Sequence, residues 1–279
     1  MPIKTILAYL PNAASTPSVL STARKIARLH GAHIVGLYLE PEVFLYSEYP
    51  LELSADVWER LNSAAKATTA EVRKIFNESM DPKAGSFEWR ERTVSPISGE
   101  EIILDAARRA DLVICGKPGG KQSDFRDGLT ELLLMQGGRP VLVVPDLAPE
   151  TSVGDRVIVA WNDTREAARA LFDSLDLIRD ASSVRVVTFI DDQSMRAPAE
   201  LSSSAIVASL RRHGIQATGN VSYAKGPATS DALISQLMEE GCDLLVMGGY
   251  SHPRFREMIF GGVSRHILRN ALVPVLLSH

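Results

Sequence analysis

The chain has 279 residues, 45% of them hydrophobic and 23% charged, with a net charge of −4; this balance excludes a disordered or fibrous protein, and the length suits two domains of about 140 residues each. So small a charge, without a Lys/Arg run or an alternation of aromatic and basic residues, argues against nucleic acid as a partner. No apolar stretch reaches the ~18 residues that span a bilayer, and the N-terminus enters a strand-like segment without a signal-peptide pattern; a cytoplasmic protein without membrane contact is expected.

Lys4 to Leu10 (KTILAYL) is a short apolar run. Val19, Leu20, Ala23, Ile26 and Ala27 then recur at helical spacing within Ser15 to Leu29. After Gly31 the run His33 to Leu39 (HIVGLYL) resumes strand character, which predicts a βαβ unit with a right-handed crossover. An aromatic and acidic segment, Pro41 to Pro50, precedes a long amphipathic helix marked by Trp58, Leu61, Ala65, Val72 and Ile75 and ending near Met80. Phe87 to Val94 reads as a third strand, Gly99 to Arg109 as a helix, and Asp111 to Cys115 as a fourth strand, apolar enough to be buried on both faces. A helix from about Leu129 and the strand Pro140 to Val144 complete the unit.

Asp146 to Gly154 has linker composition, so the expected domains are 1–146 and 155–279. Beyond it the pattern starts again: Val157 to Trp161 as a strand, Arg165 to Leu177 as a helix, Val184 to Ile190 as a strand. The repeat is sharpest near each end, where ADLVICG at 110–116 matches CDLLVMG at 242–248 and RPVLVVP at 139–145 matches VPVLLSH at 273–279. The first strands lie about 151 residues apart and these later segments 132 to 134. The first copy therefore carries an insertion, assigned to Pro41 to Ser54. Cys115 and Cys242 form no C-x-x-C pair and read as buried, reduced and structural.

The segment from Met247, MGGYSHPRFREMIFGGVSRHILRNALVPVLL, resembles the closing part of the universal stress protein family. There strand four ends in G-x-x-G, nine residues follow, then G-[ST] opens a helix, and a PVLLV-like strand closes the domain. Gly248 takes the first glycine position, Ser251 the second and Gly261 the third, while Gly262 stands where Ser or Thr is usual. Glycines let the backbone approach and turn sharply, and helix N-terminal N–H groups attract an anion; Gly261, Gly262, Val263 and Ser264 would form that phosphate cradle. The alternative is that these glycines serve only the turn and the helix start. Asn162 ends the second copy's first strand where nucleotide-binding members place an Asp; an amide still hydrogen-bonds but lacks the charge. His252, Arg254, Arg256 and His266 read as phosphate contacts or as solvated surface.

The first copy departs further. Gly116 and Gly119 keep the motif's opening, but the loop is about two residues shorter, Asp127 falls where the third glycine belongs, and the first strand ends in Leu10 and Pro11. A carboxylate there repels phosphate, so this site is expected not to hold a triphosphate.

The alternation of elements predicts two tandem α/β domains, each an open, doubly wound parallel sheet with its site at the carboxyl ends of the strands. The resemblance implies five-stranded sheets of the adenine nucleotide alpha hydrolase-like type, packed about a pseudo-twofold through Val141 to Val144 and Val273 to Leu277. It also implies a non-catalytic stress-response protein that binds ATP or AMP in its second domain, with Asn162, Phe189, Met247, Gly248, Ser251, Gly261, Gly262, Val263 and Ser264 as the site, no metal beyond Mg carried by the nucleotide, and a homodimer as a further possibility. The rival reading is a nucleotide-free interaction or small-ligand-carrying module. No G-x-S-x-G elbow or H-E-x-x-H pair occurs, and Glu100–Glu101 and Asp191–Asp192 read as a helix start and a turn; ATP hydrolysis would lack an identifiable base.

Overall fold

A computed structural model describes residues 2–42, 55–81, 85–95, 98–117, 128–146, 153–249 and 262–279. In chain order the first half runs β1 (Thr5–Tyr9), α1 (Thr16–His30), β2 (His33–Pro41), α2 (Ala55–Ser79), β3 (Phe87–Val94), α3 (Gly99–Arg108), β4 (Leu112–Gly116), α4 (Leu129–Gln136) and β5 (Val141–Val144). The second runs β6 (Arg156–Ala160), α5 (Arg165–Ile178), β7 (Ser183–Ile190), α6 (Arg196–Arg212), β8 (Ala217–Tyr223), α7 (Pro227–Glu239), β9 (Leu244–Gly248), α8 (Gly262–Asn270) and β10 (Val275–Ser278).

These strands form one sheet of ten, in the order β3-β2-β1-β4-β5-β10-β9-β6-β7-β8. Read outward from the middle, each half has the same order, and all neighbours are parallel except β5 and β10. Val275, Leu276 and Leu277 face Val143, Leu142 and Val141 in that antiparallel pair, so a pseudo-twofold passes between the two closing strands. Their side chains are buried almost completely. At about 1.5–3 kcal/mol for each buried aliphatic side chain, parting the halves would be costly, and each half would expose an apolar edge.

Alternating side chains feed two helical layers. Ile6, Ala8, Val157 and Val159 pack with the apolar faces of α1, α2, α5 and α6; Leu7, Tyr9, Ile158 and Ala160 point to the side of α3, α4, α7 and α8. The α1 series Val19, Leu20, Ala23, Ile26 and Ala27 recurs in α5 as Ala170, Leu171, Ser174, Leu177 and Ile178. Gly31 ends α1 in the left-handed region at φ 60°, its N–H closing on the Ala27 carbonyl. Part of the first half's insertion is in a helix, because α2 has 25 residues and its counterpart α6 has 17; of Pro41 to Ser54, where the whole insertion was expected, residues 43–54 lie outside the described residues.

Candidate functional site

The carboxyl ends of β6, β7 and β9 converge on the layer that holds α7 and α8. Ala160 pairs with Val187 of β7 and Met247 of β9. Phe189, Met247 and Val263 join Ala160 in one apolar cluster, in which Met247 is buried and the other three are half-buried. All four lie on the face covered by α3, α4, α7 and α8, and three of them were anticipated from the sequence.

Ala160 is the residue the sequence did not reveal. The matching position in the first half is Tyr9, since Tyr9 pairs with Leu37 as Ala160 pairs with Val187. Tyr9 is 3% exposed, and Leu39, the counterpart of Phe189, is 7% exposed. A tyrosine ring therefore fills in the first half the room that a methyl group leaves in the second. The signal was in the repeat itself: aligned on their ladders, KTILAYL and VIVAW put a large side chain against a small one.

Asn162 follows β6 and is exposed. Its Oδ1 accepts from the Thr164 hydroxyl at 2.8 Å, and Thr164 Oγ1 in turn accepts the Ala167 N–H at 3.3 Å, capping α5. Between them Asp163 has φ 57°, the one non-glycine residue in the left-handed region among the described residues, a conformation Asp tolerates better than most residues. In the first half Asn12 Oδ1 accepts from the Ser15 N–H at 2.9 Å and the Ser15 hydroxyl at 3.0 Å. Both halves thus turn from strand to helix on an asparagine, one position apart.

Gly248 ends β9 facing α5. A Cβ there would lie 2.5 Å from Ala167 N and 2.6 Å from the Glu166 carbonyl carbon, so glycine is required for α5 to approach the strand. Gly116, its counterpart, would meet the Ser15 side chain at 3.0 Å. Gly248 therefore lets α5 pack against the strand, and its expected place among the nucleotide-site residues does not rest on this contact. Gly249 leans on the other half, where a Cβ would lie 3.4 Å from Leu134 of α4. His279 Nδ1 meets the Gly249 carbonyl at 3.1 Å, and its Nε2 meets Arg165 Nη2 at 3.3 Å; the imidazole serves both when Nδ1 carries the proton and Nε2 accepts. Arg165 also pairs with the buried Glu166 at 2.9 Å.

Helix α8 starts at Gly262, and Val263 of its first turn belongs to the same apolar face. The N–H groups of Gly262, Val263 and Ser264 have no acceptor within the helix by position, and among the described residues no atom lies within 4 Å of where a Gly262 Cβ would stand. Ser264 is buried. His266, read as one possible phosphate contact, instead pairs with Asp231 of α7 at 2.9 Å. Ser251, His252, Arg254, Arg256 and Gly261 lie outside the described residues, as do Gly119 and Asp127 of the first copy.

Paired carboxylates elsewhere have structural roles. Glu100 and Glu101 occupy the first turn of α3. Asp192 accepts the Ser194 N–H at 2.9 Å, which holds its carboxyl below the usual range. Among the described residues no group of three His, Cys, Asp or Glu side chains is placed to hold a metal ion, and no helix is long and apolar enough to cross a membrane.

Residues 154–279 match the family model of the universal stress protein family. No curated protein matches the chain in sequence. A universal stress protein from Archaeoglobus fulgidus DSM 4304 is 17% identical, covering 98% of this chain and 95% of its own, with a TM-score of 0.71. The cytoplasmic domain of a prokaryotic cation chloride cotransporter, 14% identical, covers 100% of this chain and 96% of its own at a TM-score of 0.52. A universal stress protein from Archaeoglobus fulgidus in complex with dAMP is 22% identical, covers 43% of this chain and 94% of its own, and has a TM-score of 0.36. A shared fold across a stress protein and a transporter domain shows architecture and leaves function to the site.

Proposed function

Because the chain belongs, through residues 154–279, to the universal stress protein family, we propose that it is a stress-response protein of two domains, 1–146 and 155–279, that binds one adenine nucleotide, ATP or AMP, in the second. The observation that carries this reading is that Ala160, Phe189 and Val263 are half-buried on one face of the sheet, Val263 lying in the first turn of α8, where no described atom comes within 4 Å of a Gly262 Cβ. A base fits this apolar face near Asn162, and phosphates fit the Gly262, Val263 and Ser264 N–H groups, with Gly261 and Ser251 in the loop before them and Mg entering only with the nucleotide. The first domain holds no nucleotide, since Tyr9 fills the corresponding room and Asp127 opposes phosphate. The protein acts in the cytoplasm through conformation or partner binding, without catalysis.

Calorimetry with ATP tests the reading. Binding to the intact protein should weaken at least about a hundredfold in Gly261→Asp, whose carboxylate would stand within a few Å of the phosphates. A wild type that binds ATP no better than this variant would make the nucleotide-free ligand module the better account.

A further inference from the structure

A hollow of about 280 Å³ lies at the other end of the first half, where β2 and β3 begin. Ala27, Ala32, Ile34, Met80 and Phe87 provide its apolar lining, and Arg24, Lys25 and Arg28 of α1 stand along one side. Arg24 and Arg28 are four residues apart and so share a helix face. Both are exposed, and among the described residues neither enters an ion pair.

The two guanidinium groups are not consumed in ending the helix. The Ala27 carbonyl already accepts the N–H groups of Gly31 and Ala32, and the His30 carbonyl accepts Lys4 Nζ at 3.0 Å. Nor does α1 balance them internally, because Thr16 to His30 contains no Asp or Glu.

The duplicated half carries different side chains on the same surface. In the register of the buried helix series, Ser21, Arg24, Lys25 and Arg28 correspond to Phe172, Leu175, Asp176 and Arg179. There Leu175 packs on the core, Phe172 meets the His213 ring at 6.1 Å between centroids, and Arg179 is neutralised by Asp176 at 2.7 Å. The second half carries apolar side chains and an internal ion pair here, where the first has a hollow edged by cations.

We propose that this hollow binds a small amphipathic carboxylate, its apolar body on Ile34, Met80 and Phe87 and its charged group in the fork of Arg24 and Arg28. Guanidinium groups match the planar, two-oxygen geometry of a carboxylate. Asp81 on the rim disfavours ligands of high negative charge, which favours a monoanion over a triphosphate. The site is independent of the nucleotide reading: it lies in the other half, at the amino ends of strands, against the opposite helical layer.

The methyl resonances of 13C-methionine-labelled protein separate the two sites, because Met80 lines this hollow and Met247 the nucleotide candidate; Met80→Leu and Met247→Leu assign them. Titration with 3-phenylpropionate should shift Met80 saturably and leave Met247 unmoved, and 3-phenylpropan-1-ol should bind at least about tenfold more weakly. Arg24→Gln with Arg28→Gln, both at exposed positions, should weaken 3-phenylpropionate at least about tenfold while the ligand-free Met80 resonance stays in place. A Met80 signal that does not respond, that responds equally to the alcohol, or that responds unchanged in the double variant overturns the proposal, whatever ATP does at Met247.

Discussion

Asp243 holds the start of β6 through Arg156, whose N–H its Oδ1 accepts at 2.9 Å; the same carboxylate also accepts from Gly154 at 3.2 Å and Asp155 at 3.1 Å. At the equivalent place in the first half, Asp111 accepts from Lys4 at 2.8 Å and Thr5 at 2.9 Å. One carboxylate thus satisfies the leading donors of a central strand in each half. Asp243 is buried, so Asp243→Ala should cost about 2–4 kcal/mol, with Asp111→Ala, at a more exposed site, nearer 1–2. Urea unfolding midpoints of the two variants check the order, and equal midpoints would contradict it.

Gly248→Ala should destabilise more than Gly116→Ala. The first pushes a methyl group to 2.5 Å from the backbone of α5, and the second meets the Ser15 Cβ at 3.0 Å, a contact that a shift of a few tenths of an ångström relieves. Overpacking against backbone costs about 1–3 kcal/mol. Thermal melts of the two variants should separate by several degrees, Gly248→Ala being the lower.

Exchanging the sizes at the two matched positions tests the assignment of the nucleotide site. Ala160→Tyr should abolish ATP binding with little loss of helical signal. Tyr9→Ala should cost about 3 kcal/mol, as large-to-small changes at buried aromatic positions do, without creating a second ATP site, because Asp127 remains. A calorimetric stoichiometry of two in the wild type would contradict both statements.

Burial raises the Cys115 thiol to about 12, with a Thr130 hydrogen bond working against it, and raises Cys242 to about 11, with Glu240 adding to the effect. Neither thiol should react with a disulfide reagent at pH 8 until the protein unfolds. The unfolded thiols lose their protons around pH 9.0 and the folded ones do not. Stability from this source is therefore present below pH 9 and declines as pH rises toward 11 and 12. Denaturant midpoints across that range should fall, and fall less in Cys115→Val.

The imidazole of His30 is lowered below 6.5, first by burial and then by Lys4 and Arg179, against the opposing pull of Asp176 and Asp180. Here the unfolded chain takes up the proton more readily. Stability is full above pH 6.5 and declines as pH falls through 6.5 toward the folded value. His30→Gln should flatten this acid limb, as urea midpoints between pH 7.5 and 5 would record.

The sheet and its duplication were legible because parallel strands buried on both faces are written as unbroken apolar runs such as DLVIC and PVLVV, bounded by glycine or proline. The closing strands' contact was expected from the family resemblance, and their apolarity agrees with it. The site was legible only in part. Motif spacing located Gly262, Val263 and Ser264 at a helix start, but it could not reveal that Gly248 faces α5, because which side of a strand a residue takes depends on register. Ala160 escaped notice because alanine in an apolar run carries no signal until Tyr9 is laid on top of it. The Arg24 and Arg28 hollow escaped for a similar reason: a basic helix face looks solvated until strand β3 and the end of α2 are seen to leave room beneath it.

The antiparallel junction of β5 and β10 bears on how the two halves came to differ. In an assembly of identical subunits every substitution appears at both copies of a site, and a change that closes one closes the other. A covalent pair is relieved of that symmetry. Position 9 can carry a tyrosine while position 160 keeps an alanine, and α1 can keep its cations while α5 exchanges them for leucine and aspartate, because the junction needs only its closing strands to stay complementary. A fused pair can thus vary one copy of a surface while the other copy stays as it was.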